Sequence, residues 1–224
     1  MFTVKERQDL ISLCHDQLYS AVLADTLDSL GLHEQIAFPG IQPLDQKTNV
    51  CGFARVGLYM PVYHDDENMR VYENEIAFVD SLEVGDVAVL VCHGNKRISP
   101  WGELLSERSA YLGAAGCVTD GCIRDSRQIR DLKFPVYAAG TNPADTKYRG
   151  KMMMYDVPGE IGGVSVAQGD LVFGDTDGII VIPSQSISQV VNQALSKVSA
   201  ENTVRDEIRA GDTLVDIFSR HKIL

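Results

Sequence analysis

The chain divides into two stretches that differ in how hydrophobic and polar positions alternate. Up to about residue 150, segments with apolar residues at helical spacing alternate with short apolar runs rich in β-branched and aromatic residues. This alternation of helices and strands predicts a largely parallel sheet layered with helices. Helices are predicted over residues 5–31, 68–82, 102–116 and 125–132, and strands over residues 50–63, 84–92, 117–121 and 134–140.

The first helical stretch is interpreted as two helices divided near Tyr19 and Ser20. Ser20 is expected to cap the second helix, because serine side chains accept hydrogen bonds from free N–H groups at helix starts. Gly31 is expected to end it, because glycine readily adopts the left-handed conformation found at helix ends.

Residues 152–183 carry a different pattern, in which short apolar runs are separated by Gly-Asp turns. The pattern predicts short antiparallel or barrel-like strands, and Pro183 is expected to stop the last of them. A long polar helix over residues 186–209 follows. Since no linker or convincing repeat interrupts the sequence, we predict one α/β domain over residues 1–224. Its first part is parallel-rich, its C-terminal sheet has short strands, and a C-terminal helix closes the chain.

Composition narrows the functional classes. Of 224 residues, 45% are hydrophobic and 23% charged, which is ordinary for a globular protein. The net charge of −11 argues against binding nucleic acid or an anionic membrane, because both require a basic surface. Five cysteines without a Cys-x-x-Cys pair predict free thiols in a reducing compartment. A charged N-terminus, and no apolar run of roughly 20 residues, favour a cytoplasmic protein without a membrane span.

The strongest candidate site is Arg124-Asp125, which follows the strand at 117–121 and opens a predicted helix. Open α/β sheets bind ligands beyond the carboxyl ends of their strands. Arg124 could hold a substrate carboxylate through its planar guanidinium, and Asp125 could hold a hard divalent cation. The alternative is that Asp125 only caps its helix.

A second helix start lies upstream at Gly102. Gly102 lets a ligand approach the backbone, and the free N–H groups of Glu103, Leu104 and Leu105 form an anion site. Twenty residues separate Glu103 from Arg124, about one helix plus one strand, so the two loops are expected to lie side by side. The alternative is that Glu103 only stabilises its own helix terminus.

Two other segments contain residue types that occur in binding sites. The His64–Glu67 segment is interpreted as an acidic surface loop rather than a metal site. The loop at 93–97 either lines the pocket, with Lys96 or Arg97 meeting an anionic substrate tail, or is a plain loop. No Gly-x-Gly-x-x-Gly opens a helix after a strand, and there is no phosphate-binding loop. The sequence therefore gives no support for a nucleotide-dependent oxidoreductase, a kinase or an adenosylmethionine-dependent methyltransferase.

Residues 101–143 resemble the RraA-like family, which includes the class II pyruvate aldolases acting on 4-hydroxy-4-methyl-2-oxoglutarate and 4-carboxy-4-hydroxy-2-oxoadipate. The family signature is an acidic residue, twenty positions, then Arg-Asp, and Glu103, Arg124 and Asp125 match it. The similarity extends to residues 20–31, 84–92 and 162–183.

The resemblance implies a layered α/β/β/α swivelling-type domain that assembles as a trimer or a pair of trimers, with the active site between subunits. Arg124 would bind the pyruvyl carboxylate and Asp125 would ligate Mg²⁺ or Mn²⁺. The turn formed by Gly102, Glu103, Leu104 and Leu105 would contact the substrate. Glu103 would hold or activate a metal-bound water for proton transfer, and Glu201 of a neighbouring subunit would join that water shell.

The implied activity is that of a metal-dependent carbon–carbon lyase on a small 2-oxo acid. Retro-aldol cleavage and oxaloacetate decarboxylation both generate a pyruvate enolate, whose charge a cation can neutralise. The alternative is a non-catalytic ring that binds a ribonuclease or another protein. Family regulators lack the acidic residue at position 103, so Glu103 favours catalysis. The loop at 93–100 is larger than in most family aldolases, and its Lys96 and Arg97 could alter the substrate.

Overall fold

A computed structural model describes residues 2–64 and 70–222. The helices are α1 (Val4–Gln17), α2 (Ser20–Ser29), α3 (Glu73–Asp80), α4 (Glu103–Leu112), α5 (Ser126–Leu132), α6 (Ile187–Ala210) and α7 (Leu214–His221). The strands are β1 (Gln42–Pro43), β2 (Val50–Pro61), β3 (Asp86–Val91), β4 (Gly116–Thr119), β5 (Val136–Ala138), β6 (Gly150–Tyr155), β7 (Gly159–Ile161), β8 (Val164–Val166), β9 (Leu171–Gly174) and β10 (Ile179–Ile182).

The main sheet is mixed, with strand order β1-β5-β4-β3-β2-β9-β10. Strands β2, β3, β4 and β5 pair in parallel, and β9 and β6 pair antiparallel with successive parts of the long strand β2. Strand β3 is buried along its whole length, as its continuous apolar sequence predicts for a parallel strand covered on both faces. The layered α/β class predicted from the sequence is confirmed.

The two faces of the sheet are covered differently. On one face, Val56, Val87 and Val89 pack in a cluster with Ile161 and Val164 of the β7–β8 hairpin. On the other face, helices pack in two groups. One group, α3 to α5, covers the parallel strands, and the other, α1, α2 and α6, covers β9 and β10. The carboxyl ends of β3 and β4 therefore emerge beside α3, α4 and α5.

Several local predictions need correction. The first two helices divide where predicted, but Tyr19 is the N-cap of α2, and Ser20 instead donates its hydroxyl to Asp175 at 2.7 Å. The helix predicted from residue 68 begins at Glu73, and residues 68 and 69 lie outside the described residues. The last strands, β9 and β10, are not a separate sheet but extend the main one. The polar helix α6 is confirmed, whereas α7 was not predicted.

The five cysteines are all free and buried, as predicted. They are Cys14, Cys51, Cys92, Cys117 and Cys122. Across residues 2–64 and 70–222, none of the helices combines the length and the apolar character needed to cross a membrane.

Candidate functional site

A cleft of about 200 Å³ lies where the loop before α4, the start of α3 and the turn after β4 meet. It is lined by Tyr72, Glu75, Ile76, Ser99, Pro100, Trp101, Gly102, Leu104, Leu105, Arg124, Asp125, Asp145 and Thr146. The cleft therefore gathers residues from segments up to about 70 positions apart in sequence, at the edge of the sheet where β3 and β4 end.

The turn after β4 is fixed by Asp120 and Gly121. The Asp120 carboxylate accepts hydrogen bonds from the backbone N–H groups of Cys92 at 2.5 Å and Gly94 at 2.8 Å, so it joins the end of β4 to the loop after β3. A Cβ at Gly121 would lie 2.8 Å from the Cys92 sulfur, closer than real Cβ atoms approach. This junction explains why an apolar strand ends in Asp-Gly, and it sets the path of the next residues into the cleft.

Arg124 is held at both its backbone and its side chain. Its N–H donates to the carbonyl of the buried Trp101 at 3.0 Å, and its Nη1 donates to Asp145 Oδ2 at 3.0 Å. Asp145 Oδ1 in turn accepts from the Tyr72 hydroxyl at 2.9 Å and from the Lys147 N–H at 3.0 Å. This chain of contacts orients the guanidinium while leaving most of its N–H donors available.

Asp125 lies in the left-handed region at φ 54° and ψ 34°, a conformation that aspartate tolerates better than most residues. It occupies the N-cap position of α5, but its side chain makes no capping hydrogen bond there. Instead, Oδ2 accepts from the N–H of Glu103 at 3.3 Å, at the start of α4. Asp125 therefore takes the N-cap position without a side-chain capping bond, and its carboxylate contacts the start of the neighbouring helix α4 and lines the cleft.

Gly102 is required at this junction. A Cβ there would lie 2.7 Å from Asp125 Oδ2 and 3.3 Å from Arg124 Nε. Any larger residue would have to displace the two charged side chains. The expectation that the two strand-end loops lie side by side is confirmed by these contacts.

Most of the residues singled out from the sequence meet in this cleft, namely Gly102, Leu104, Leu105, Arg124 and Asp125. Glu103 contributes its backbone N–H. Within the described residues its carboxylate makes no hydrogen bond or ion pair, and it is not among the lining residues. Its proton-transfer role stays a prediction.

Glu201 lies away from the cleft of its own chain. Its carboxylate accepts a hydrogen bond from the Tyr19 hydroxyl, beside the start of α2. Its role at the site of a neighbouring subunit stays a prediction.

The sequence alone missed Tyr72, Glu75 and Asp145. Glu75 is 8% exposed and accepts a hydrogen bond from the Tyr59 hydroxyl at 2.7 Å. A signal was present, because Glu75 shares the helical stripe of the buried residues Phe78 and Val79, where a carboxylate is out of place. Tyr72 and Asp145 lie in polar segments that carried no such signal.

The electrostatics of these residues follow from burial and from Arg124. Burial, assisted by the charge of Asp145, raises the pKa of Glu75 to about 7, although Tyr59 and Arg124 oppose the shift. Burial alone would raise the pKa of Asp145 too, but hydrogen bonds from Lys147 and Tyr72 and the charge of Arg124 lower it below its usual value. Two carboxyl groups of one cleft thus differ in charge near neutral pH.

The loop at 93–97, also a candidate from the sequence, lies outside the cleft lining. In the 93–97 loop, Gly94 is bound by Asp120, and the Arg97 guanidinium lies 5.0 Å from the centre of the Tyr63 ring. Neither Lys96 nor Arg97 lines the cleft. Of the acidic segment His64–Glu67, residues 65–67 lie outside the described residues.

Asp125 fits a divalent cation held through few protein ligands. The described residues contain no cluster of three or more His, Cys, Asp or Glu side chains placed to hold a metal. Mg²⁺, however, commonly binds through one or two carboxylates and completes its shell with water and substrate. Asp125 is 39% exposed at its side chain, and its Oδ1 has no hydrogen-bond partner among the described residues. That free oxygen is the group such a cation would use.

Comparisons with known proteins identify relatives of this chain by sequence. DlpA of Legionella pneumophila is 28% identical over 195 residues, which are 87% of this chain but 31% of DlpA, so the chain spans about a third of that relative. A protein of Halalkalibacterium halodurans, provisionally named 4-hydroxy-4-methyl-2-oxoglutarate aldolase, is 33% identical over 76% of this chain and 79% of its own length.

A solved structure is similar to this chain in fold as well as in sequence. It is that of Streptomyces coelicolor RraAS2, described as an unusual member of the RNase ES inhibitor RraA protein family. It is 30% identical, covers 88% of this chain and 96% of its own, and superposes with a TM-score of 0.77. The sequence profile of the RraA-like family, described as Aldolase/RraA, matches residues 20–181. Because that match takes in the whole cleft and most of the sheet, the chain belongs to the RraA-like family.

Proposed function

We propose that this protein is a divalent-metal-dependent lyase that cleaves or decarboxylates a small 2-oxo acid through a pyruvate enolate. The observation that carries the proposal is the pair Arg124 and Asp125, which face one cleft over the bare backbone of Gly102. One side chain offers an anion-binding fork and the other a free carboxylate oxygen. Relatives provisionally named as aldolases support the same reaction class.

Arg124 would bind the substrate carboxylate. Its Nη1 is engaged by Asp145, while Nη2 makes no hydrogen bond within the described residues. A guanidinium fixed on one side presents its remaining donors in a set direction, which suits a planar carboxylate.

The start of α4 would bind substrate oxygen. In any α-helix the first N–H groups have no partner within the helix, and at this start the Glu103 N–H is taken by Asp125. The N–H groups of Leu104 and Leu105 therefore remain to donate to an oxygen that gains negative charge in the reaction.

Asp125 would hold Mg²⁺ or Mn²⁺, and the bound cation would supply positive charge that stabilises the enolate. Glu103 would move the proton that ends on C3 of pyruvate. Retro-aldol cleavage breaks the C3–C4 bond as the 4-hydroxyl loses its proton, whereas decarboxylation releases CO₂ from the same carbon. Both steps balance without an oxidant or reductant.

The proposal includes the assembly. A homotrimer, or a pair of trimers, would place Glu201 of one copy beside the cleft of the next. The single domain would therefore be catalytically active only when assembled. Light scattering on the purified protein measures the assembly, and a monomer at micromolar concentration would contradict it.

The decisive experiment measures pyruvate release with a coupled dehydrogenase, with and without Mg²⁺ or Mn²⁺. The substrates are oxaloacetate and 4-hydroxy-2-oxo acids with and without a second carboxylate. Metal-dependent pyruvate release that Asp125→Asn removes supports the lyase. If none of the substrates yields pyruvate with either metal, the proposal is wrong.

A second candidate function is a non-catalytic regulator that binds a ribonuclease. It is favoured by the net charge of −11, which could compete for a basic RNA-binding surface, and by the similarity to RraAS2. A protein that releases no pyruvate but inhibits an RNase E-type ribonuclease at micromolar concentration would establish this function instead.

A further inference from the structure

We infer that the cleft selects 2-oxo acids whose remote end is uncharged over those that end in a second carboxylate. The inference rests on the proposed function, since it takes Arg124 as the group that binds the first carboxylate. It goes further by naming the class of substrate, which differs from the dicarboxylate in the relatives' names.

The charges around the cleft carry the inference. Among the described residues that line it, Arg124 alone is cationic, whereas Glu75, Asp125 and Asp145 carry carboxyl groups. The stretches of sequence outside the described part add no cationic side chain. Met1, the Asp-Asp-Glu-Asn-Met stretch at 65–69 and the last two residues, Ile and Leu, contain no Lys, Arg or His side chain.

A second carboxylate would enter an unfavourable environment. Arg124 already faces Asp145 at 3.0 Å and has Asp125 Oδ2 at 3.6 Å from its Nε, so its charge is shared before any ligand binds. A cation held by Asp125 would serve the pyruvyl end of the substrate, as Arg124 would. A remote carboxylate would therefore lose water beside further carboxyl groups without gaining a cationic side chain of its own.

An uncharged remote end finds better partners. Ile76 and Leu104 line the cleft with 55% and 73% of their surfaces exposed, and they can cover a methyl or methylene group. Glu75 uses Oε2 for the Tyr59 hydroxyl, and its Oε1 has no partner among the described residues. That oxygen can accept a hydrogen bond from a substrate hydroxyl.

A representative substrate is 4-hydroxy-2-oxopentanoate. Its 4-hydroxyl proton passes to a base, the C3–C4 bond breaks, and that electron pair forms the pyruvate enolate as acetaldehyde leaves. C3 then takes one proton to give pyruvate. The atoms balance without a further reactant.

Binding of a matched pair tests selectivity without turnover. The acids 2-oxopentanoate and 2-oxoglutarate have the same chain length, differ only at C5, and lack the hydroxyl that cleavage requires. With Mg²⁺ present, titration calorimetry is expected to show 2-oxopentanoate binding at least about tenfold more tightly. Equal or tighter binding of 2-oxoglutarate would overturn the inference, because it would mean that a cation from another copy or another segment reaches the cleft.

A charge added to the cleft wall sharpens the test. Ile76→Arg places a cation at a half-exposed lining position, and it is expected to shift the affinity ratio toward 2-oxoglutarate by at least about tenfold. Ala77→Arg adds the same charge at the next exposed position of α3, outside the lining, and should leave the ratio unchanged. An unchanged ratio in Ile76→Arg, or an equal shift in Ala77→Arg, would overturn the inference.

Turnover separates this inference from the lyase proposal. Pyruvate release from 4-hydroxy-2-oxopentanoate should exceed that from 4-hydroxy-2-oxoglutarate in kcat/KM. A faster dicarboxylate would overturn the selectivity and leave the lyase standing. No pyruvate from either acid or from oxaloacetate, with the binding preference intact, would overturn the lyase and leave the selectivity standing. No binding of either acid would overturn both.

Discussion

Two aspartates with a left-handed backbone conformation lie beside arginines in this protein. The two pairs differ in how many of the arginine hydrogen-bond donors are already used within the protein. At the amino end of β3, Arg55 donates from Nε and Nη2 to the two oxygens of Asp156, at 2.6 and 2.9 Å. Its other donors reach Ser81 and Asp86. In the cleft, by contrast, Arg124 Nε lies 3.6 Å from Asp125 Oδ2, and within the described residues the Arg124 side chain makes one hydrogen bond, to Asp145.

The difference shows how the same two residue types serve two purposes. The Arg55 side chain is 12% exposed and every donor is engaged, so the pair fastens the segment after β6 to the sheet. The Arg124 side chain is 36% exposed and keeps donors for a ligand. In a structural ion pair the donors and acceptors bind other groups of the protein, whereas in a binding site some of them stay unpaired and can bind a ligand.

The largest expected effect comes from Asp125→Asn, with Asp156→Asn as the matched control. If Asp125 holds the cation, pyruvate release should fall by roughly 10³-fold at limiting Mg²⁺, since metal charge stabilisation contributes several kcal/mol. The melting temperature should barely move. Asp156→Asn should do the reverse, lowering stability by about 2 kcal/mol with little change in rate. Wild-type turnover in Asp125→Asn would show that Asp125 does not hold the cation.

The second comparison is Arg124→Lys against Arg55→Lys. An ammonium keeps the charge but cannot make the bidentate contact, so Arg124→Lys should lose about 3 kcal/mol in kcat/KM, roughly 150-fold. Arg55→Lys should lower the unfolding free energy by about 2 kcal/mol and leave kcat/KM within twofold. The comparison fails if Arg124→Lys retains at least half of the wild-type efficiency.

Glu103→Gln tests whether the start of α4 supplies a base as well as N–H donors. The amide keeps the size of the side chain and removes the proton acceptor, so turnover should fall by roughly 10²-fold with metal binding unchanged. A helix-terminus charge alone would cost a few tenths of a kcal/mol in stability and nothing in rate. A melting curve, a metal titration and a rate on one variant distinguish the two. Unchanged turnover would remove Glu103 from the reaction.

The smallest effect is on pH-dependent stability. Burial raises the pKa of Glu75 to about 7, so between pH about 4.5 and about 7 the native state binds more protons than the unfolded state. Unfolding free energy should therefore fall as pH rises through this window, by about 2 kcal/mol once water in the cleft is allowed for. Glu75→Gln should flatten this dependence in denaturant titrations at pH 5 and pH 7.5. A slope equal to that of the wild type would contradict the assignment.

The sequence predicted the local part of this site well and the long-range part poorly. Gly102, Arg124 and Asp125 could be predicted because each opens a helix after a strand, and parallel strands bring such openings to one edge of the sheet. Asp145 and Tyr72 could not, because their contact with Arg124 depends on how the 141–149 segment and the start of α3 fold back over the cleft. No local sequence pattern predicts that these two segments fold back over the cleft.

The same division holds for the fold. Continuous apolar runs identified β3 and β4, whose burial on both faces leaves little choice of element. For the short strands after residue 150, the sequence predicted that strands exist but not which strands they pair with. Strand β9 pairs with β10 in a local hairpin and also with β2, and packing across about 120 residues of intervening chain decides that second partner. Ser20 shows the limit at one residue, because the buried carboxylate of Asp175 competes for the hydroxyl that would otherwise cap α2.

Because all five thiols are buried, the reactivity of each one reports the local opening of the structure around it. A thiol reagent reacts with the thiolate, and burial raises the pKa of Cys92 and of Cys117, so neither is expected to react until the surrounding structure opens. Cys117 lies in strand β4 of the main sheet, whereas Cys14 lies in α1, on the buried side of the helix layer. Labelling rates at the two positions, followed by mass spectrometry, would therefore time the opening of the sheet and of the helix layer separately, without adding any probe to the protein.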